Sequence, residues 1–194
     1  DVPTLIMDAT AQPELLKPLW PRIDRVGTYE AAMPHVTIRQ IPWSAAKSKM
    51  IGNSNTQINN RQKIHRYIQA RSTEFKSVLV ICQKALESEL LNLGLPDNVD
   101  IGHFNGMRGI DKFKDVECLI IIGRTQPPPD QVELQAEVLF GRVPERNADW
   151  DSQYYPRREV GSCGIGHNGG PSIDMEYHTD PDAEAMRWSA CEAE

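Results

Sequence analysis

Two short apolar runs, residues 77–82 (Ser-Val-Leu-Val-Ile-Cys) and 118–123 (Cys-Leu-Ile-Ile-Ile-Gly), constrain this chain more than any other feature. Neither run alternates apolar and polar positions, as a strand with one wet face would. Uninterrupted runs of this length belong to strands buried on both faces, the situation of a parallel sheet covered by helices. Between them, residues 84–93 repeat apolar side chains at helical spacing, with Leu86, Leu90, Leu91 and Leu93 expected to face inward and Gly94 to end the helix. Strand, helix and strand in this order predict an α/β fold with a mostly parallel sheet flanked by helices, and right-handed crossovers would place helices on both faces.

The remaining elements fit around that frame. Residues 4–7 (Thr-Leu-Ile-Met) read as a short buried strand. Pro13 opens a helix over 14–20 and Pro21 closes it. Residues 36–41 (Val-Thr-Ile-Arg-Gln-Ile) alternate and are β-branched, which predicts a strand. Residues 47–60 are rich in Ser and Asn and read as a loop. A helix over 61–72 follows from Ile64, Tyr67 and Ile68. Residues 99–104 predict a further short strand, and Pro127-Pro128-Pro129 ends the α/β pattern. Beyond it come a helix over 131–140, a Gly-rich turn over 161–171 in an irregular or β-hairpin appendage, and a last helix over 181–191. The expected division is therefore an α/β domain over 1–129 and an appendage over 130–194.

Composition matters chiefly through its unevenness. The 194 residues carry a net charge of −6, which on its face speaks against a nucleic-acid partner. Residues 1–128, however, hold 16 basic and 13 acidic residues, and residues 129–194 hold 5 basic and 14 acidic. From Ala31 to Thr73 there is no acid, while Arg39, Lys47, Lys49, Arg61, Lys63, Arg66 and Arg71 all fall there. Such a block is either a solvated basic face or a surface for phosphates, with Trp43 and Tyr67 available to stack on bases. Cys82, Cys118, Cys163 and Cys191 show no C-x-x-C spacing, so free thiols and a reducing cytoplasm are expected. No apolar run is long enough for a membrane span. The chain opens on Asp1-Val2-Pro3, with neither Met nor a basic leader, and reads as a processed or excised piece.

In parallel sheets, ligands sit beyond the carboxyl ends of the strands. Here those ends read Asp8-Ala9-Thr10, Cys82-Gln83-Lys84, residues 103–111 (His-Phe-Asn-Gly-Met-Arg-Gly-Ile-Asp) and Gly123-Arg124-Thr125. Gln83 and Lys84 at a helix start suit an anion, or simply end an apolar run. Gly109 lets backbone amides approach a phosphate and Arg108 can bind it through two hydrogen bonds; alternatively this is a tight turn with Asp111 as cap. Thr10 serves equally as a helix cap. His167 and His178, near Asp180 and Asp182, have no recognised metal spacing, and a flexible turn and an exposed acidic segment are expected instead.

The ordered set of strand tips resembles superfamily 2 helicases. Met7-Asp8-Ala9-Thr10-Ala11 is similar to their motif III, with Asp8 standing where the family has Ser or Thr. Residues 78–84 resemble motif IV. Residues 103–111, with the core Arg108-Gly109-Ile110-Asp111, resemble motif V. The stretch from Gly123 to Pro128 is similar to the stretch after motif V in the iron–sulfur helicase relatives, and the resemblance as a whole is most like phage- or plasmid-type helicase proteins of bacteria. The resemblance covers about residues 1–129 and corresponds to the second RecA-like domain. It implies Asp8, Ala9, Thr10, Gly109 and Asp111 at the nucleotide and domain interface. It further implies Gln83, Lys84, Asn105, Arg108 and Arg124 on the backbone of single-stranded DNA or RNA.

The chain has no Gly-x-x-x-x-Gly-Lys-Ser/Thr phosphate cradle, no Asp-Glu box and no arginine-finger motif VI. ATP and Mg would therefore be shared with an N-terminal RecA-like domain of the same protein, the chain being cut just before motif VI. No catalytic residue is expected in this stretch, and alone it should not hydrolyse ATP. The alternative is a non-catalytic nucleic-acid- or protein-docking module of a phage or plasmid replication protein.

Overall fold

A computed structural model describes residues 12–24, 27, 32–41, 43–107, 110–146, 150, 154–161 and 172–192. The strand expected at 4–7 and the turn at 162–171 lie outside the described residues. The chain divides into two compact units, Met33–Thr125 and a second comprising Gln126–Ala193 with the segment up to Ala32.

The first unit is built on β1 (Val78–Cys82), which pairs in parallel with β2 (Val99–His103) on one side and β3 (Cys118–Ile121) on the other. The strand order is β2-β1-β3. Val78, Val80 and Cys82 turn one face towards Ile64 and Ile68 of α3 (Asn55–Glu74) and Leu86 and Leu90 of α4 (Lys84–Leu93). Met50 of α2 (Lys47–Met50) and Ile122 complete this core. Burial holds the Cys82 thiol up at about 12, reinforced by the nearby Glu87 carboxylate, so it stays protonated and unreactive.

Several expectations need correction. Residues 47–60 are not a loop: α2 and the first turns of α3 occupy them. Ser54 caps α3 through Gln57 N–H (3.3 Å), and the Gln57 side chain accepts from Ser54 N–H (3.0 Å), a reciprocal capping box. Residues 36–41 form no strand, and Ile38 is 88% exposed, because β-propensity alone creates no partner. Leu91 and Leu93 point outward; only Leu86 and Leu90 lie on the stripe that meets the sheet. The helix expected over 14–20 is the single turn α1 (Pro13–Leu16), since Pro18 has no N–H to return to Glu14. The helix expected over 131–140 begins two residues earlier, with Pro129 as its first residue.

β3 was expected to be buried on both faces, yet it alternates, with Leu119 and Ile121 more than half exposed. The cause is the connection from β2. On the face opposite α3 and α4, it supplies a 3-10 turn (Asp111–Phe113) in place of a helix among the described residues. Lys112 of that turn reaches Asp100 (2.9 Å), and Met107 packs on Gly102, both on this second face of β2. The cover stops there and leaves β3 bare.

Arg61 ties the α2–α3 corner together. Its buried guanidinium donates to the carbonyls of Met50 (2.7 Å) and Gly52 (2.8 Å) and pairs with Glu89 (3.3 Å). Arg61→Ala leaves two carbonyls without a donor and is expected to cost about 3 kcal/mol in urea unfolding. Arg61→Lys should recover only part of it, because an ammonium cannot span the same fork.

The second unit packs α5 (Pro129–Phe140) against α6 (Pro181–Glu192) beside an antiparallel pair, β4 (Arg157–Gly161) and β5 (Ser172–Glu176). Val132, Ala136, Tyr155 and Ala183 form its apolar centre. Around them lie buried polar groups. His178 was expected in an exposed acidic segment but is only 3% exposed. Its Nδ1 accepts from Asp180 N–H (3.0 Å), so Nε2 must carry the proton donated to Glu133 (3.0 Å). Glu133 also accepts from Arg146. Burial raises the Glu133 carboxyl, but these donors outweigh it and hold it below its ordinary value. Arg187, also buried, is held by Glu184 through two 2.7 Å hydrogen bonds.

Asp180 starts α6. It accepts from Asp182 N–H (2.9 Å), Ala183 N–H (3.2 Å) and Glu145 N–H (3.0 Å), and from Arg142 (2.7 Å). Burial opposes its charge, but these donors prevail and bring it from 3.8 down to about 2. The folded state thus releases the proton more readily than the unfolded chain. The resulting stability, about 2 kcal/mol, is full above the ordinary carboxylate value and is lost as pH falls towards 2. Acid unfolding of this unit, followed by Trp fluorescence, should show that loss. Asp180→Asn should start less stable at neutral pH and lose less on acidification.

Candidate functional site

The carboxyl ends of the three strands carry the polar residues that a ligand would meet. β1 ends in Cys82, and Gln83 follows as the N-cap of α4, with extended backbone (φ −70°, ψ 142°) and no side-chain cap. The first amides of α4 therefore open beside Gln83 and the exposed Lys84. Ile122 N–H extends the β1–β3 ladder to Ile81 O (2.8 Å), and the chain then turns at Gly123 with φ +87°, a conformation that disfavours any side chain. A Cβ on Gly123 would lie 3.7 Å from Gln83 Nε2 and 3.9 Å from the carbonyl of Ala45. Gly123 therefore lies beside Gln83, with Arg124 next in the chain.

This place is set by topology. From β1 the chain passes through α4 to β2 on one side, and β3 lies on the other, so connections diverge at the β1–β3 boundary. Crevices at such a reversal are where parallel α/β sheets bind ligands.

The end of β2 is organised differently. His103 Nδ1–H donates to Glu87 in the first turn of α4 (2.7 Å). Gly106 N–H returns to His103 O (3.0 Å), closing a turn whose third residue, Asn105, has φ +64°. A Cβ on Gly106 would come within 2.8 Å of His103 Nε2, so the imidazole lies flat against a residue without a side chain.

Of the residues singled out in the sequence, Gln83, Lys84 and Arg124 stand together at the carboxyl ends of β1 and β3, with Gly123 beside Gln83. Asn105 stands at the β2 end, about 10 Å across the sheet from β3 at two strand spacings. Asp111 begins the 3-10 turn whose next residue reaches back to Asp100, beside the first half of β2, and is exposed. Asp8, Ala9, Thr10, Arg108 and Gly109 lie outside the described residues. Sequence reasoning missed the third wall of the crevice, the segment from Ala45 into α2 with the exposed Lys47 and Lys49. The Ser54-x-x-Gln57 capping box was the signal that a helix, α3, begins at Asn55 inside the stretch read as a loop. No set of three or more His, Cys, Asp and Glu among the described residues is placed to hold a metal, and none of the described helices is long and apolar enough to cross a membrane.

No protein-family model, curated protein or solved structure matches this chain.

Asn105 is placed by its backbone, since Asn tolerates positive φ better than most side chains. Asn105→Gly should change unfolding free energy by less than about 0.5 kcal/mol, and Asn105→Val should lower it by about 1–2 kcal/mol. The pair of denaturation curves separates a turn former from a ligand contact, because a contact would weaken binding in both variants.

Proposed function

We propose that this chain acts as the second motor domain of an ATP-dependent nucleic-acid helicase or translocase, binding the backbone of single-stranded nucleic acid at the strand ends. The observation that carries the reading is the meeting of Gln83 and Lys84, at the open amino terminus of α4, with Gly123 and Arg124 at the point where the parallel sheet reverses its connections. A helix amino terminus with two cations suits a phosphate diester. Charge agrees: Met33–Thr125 holds 13 Lys and Arg against 8 Asp and Glu, despite the acidity of the whole chain. The order of motif-like tips along the strands adds the resemblance to superfamily 2 helicases.

The residues present do not fit ATP and Mg on their own. The sequence has no Gly-x-x-x-x-Gly-Lys-Ser/Thr phosphate cradle, and no group of three or more His, Cys, Asp and Glu among the described residues could hold a cation. In this reading both belong chiefly to a first RecA-like domain, and this chain supplies the facing wall. Closure around ATP would then move the strand-end contacts along the nucleic acid.

Lys84→Gln/Arg124→Gln should weaken binding of a labelled single-stranded oligonucleotide about tenfold. It should also flatten the dependence of log K on log salt by roughly 1.4, the value for two lost phosphate contacts. No binding by the parent chain at low salt would replace this reading with a protein-docking module.

A further inference from the structure

The acid-free stretch from Ala31 to Thr73 holds seven Lys and Arg; two of them pair with carboxylates inside the fold, and Arg66 gives its Nε–H to Gln62 O (3.3 Å) while its side chain stays exposed. Arg61 is buried on main-chain carbonyls and Glu89, and Arg71 pairs with Glu74 (2.6 Å) while lying over the Tyr67 ring. Arg39, Lys47, Lys49, Lys63 and Arg66 remain exposed.

α3 sorts its residues cleanly. Asn60, Arg61, Ile64 and Ile68 turn inward. Asn55, Asn59, Gln62, Arg66, Gln69 and Thr73, spaced three and four apart, form an exposed stripe with Lys63 alongside. A helix of 20 residues is about 30 Å long, so this is an extended surface. Solvated helix faces usually intersperse both signs. Here the first acid is Glu74, the last residue of the helix, already paired with Arg71. Except for Thr73, whose hydroxyl is given to Ala70 O (2.8 Å), the side chains on the stripe have N–H groups to donate, and no carboxylate on it would repel a phosphate.

The stripe is also continuous with the strand ends. α2 lies against the first turns of α3, with Gln57 Nε2 donating to Ser48 O (2.9 Å) and Asn60 Nδ2 to Lys49 O (3.0 Å). Ala45, two residues before α2, turns its carbonyl towards Gly123 in the β1–β3 crevice. The cations therefore follow one another from Lys84 and Arg124, through Lys47 and Lys49, to Lys63 and Arg66.

We propose that the outer face of α2 and α3 is a second nucleic-acid-binding surface, carrying the single strand onward from the crevice along the length of α3. The proposal rests on the reading that the strand ends bind single-stranded nucleic acid, and it adds the path taken beyond them. Trp43, exposed just before α2, is placed to stack a base along that path.

Fluorescence anisotropy of the whole chain with labelled oligothymidylates of about 6 and about 16 nucleotides tests it. Lys63→Gln/Arg66→Gln alters only exposed side chains, and circular dichroism verifies its fold. It should weaken the longer oligonucleotide about tenfold, flatten its salt dependence by roughly 1.4, and leave the shorter one unchanged. Unchanged affinity and salt dependence for the longer oligonucleotide would overturn the proposal, as would equal loss on both lengths. Lys84→Gln/Arg124→Gln is the separate control: it should weaken both lengths. If it weakens neither while Lys63→Gln/Arg66→Gln weakens the longer, the strand-end reading fails and the helix surface stands. A parent chain that binds neither oligonucleotide removes both.

Discussion

A strand at the centre of a parallel sheet must find hydrogen-bond partners along both edges, and its faces must be covered. β1 meets the first demand through β2 and β3 and the second, on one face, through Ile64, Ile68, Leu86 and Leu90. Everything in the Met33–Thr125 unit depends on it. Its register with β2 brings Cys82 level with His103, and its ladder with β3 continues to Ile122. The three carboxyl ends therefore finish together, and the polar residues that follow are delivered to one rim of the sheet. Shortening β1 by one pair would leave the α4 amino terminus and Gly123 at different heights.

The parts of this arrangement that were legible in the sequence are those whose signal is local and whose partner is guaranteed. Residues 77–82 could only be a buried strand, and α4 could only follow it before Gly94. Legibility failed where a partner decides the outcome. Residues 36–41 have the composition of a strand, but they pair with neither open edge of the described sheet. Residues 47–60 have the composition of a loop, yet a capping box starts α3 at Asn55 and three side-chain bonds from α3 tie it to the α2 backbone across the bend at 51–54. β3 looked doubly buried because its residues are apolar throughout; what its second face meets depends on a connection too short in regular structure to cover it.

The site was legible to the same degree. Gln83, Lys84 and Arg124 could be named because polar residues at strand ends are exposed by the pattern itself. Their convergence with Ala45 and α2 could not, since it depends on how α3 folds back over the sheet. Asn105 is a different case. A polar residue at a strand tip invites a ligand role, but its positive φ gives it a prior backbone duty. The buried His178 and Asp180 were hidden for a related reason: polar residues enter a core only when donors and acceptors arrive from distant positions, here Glu133, Arg142 and Glu145.

Charge illustrates why counting along a chain is not enough. A net of −6 discourages a polyanion, and an acid-free block of seven cations encourages one; neither number describes a surface. Arg61 carries full charge but spends it on two carbonyls and Glu89 inside the α2–α3 corner. Arg71 is neutralised by its neighbour on the same helix. What an approaching phosphate would meet on α2, α3 and the start of α4 is the exposed remainder, Lys47, Lys49, Lys63, Arg66 and Lys84. Counterion release scales with the phosphates actually neutralised. On the proposed reading it is this remainder, not the total, that would set both affinity and salt dependence.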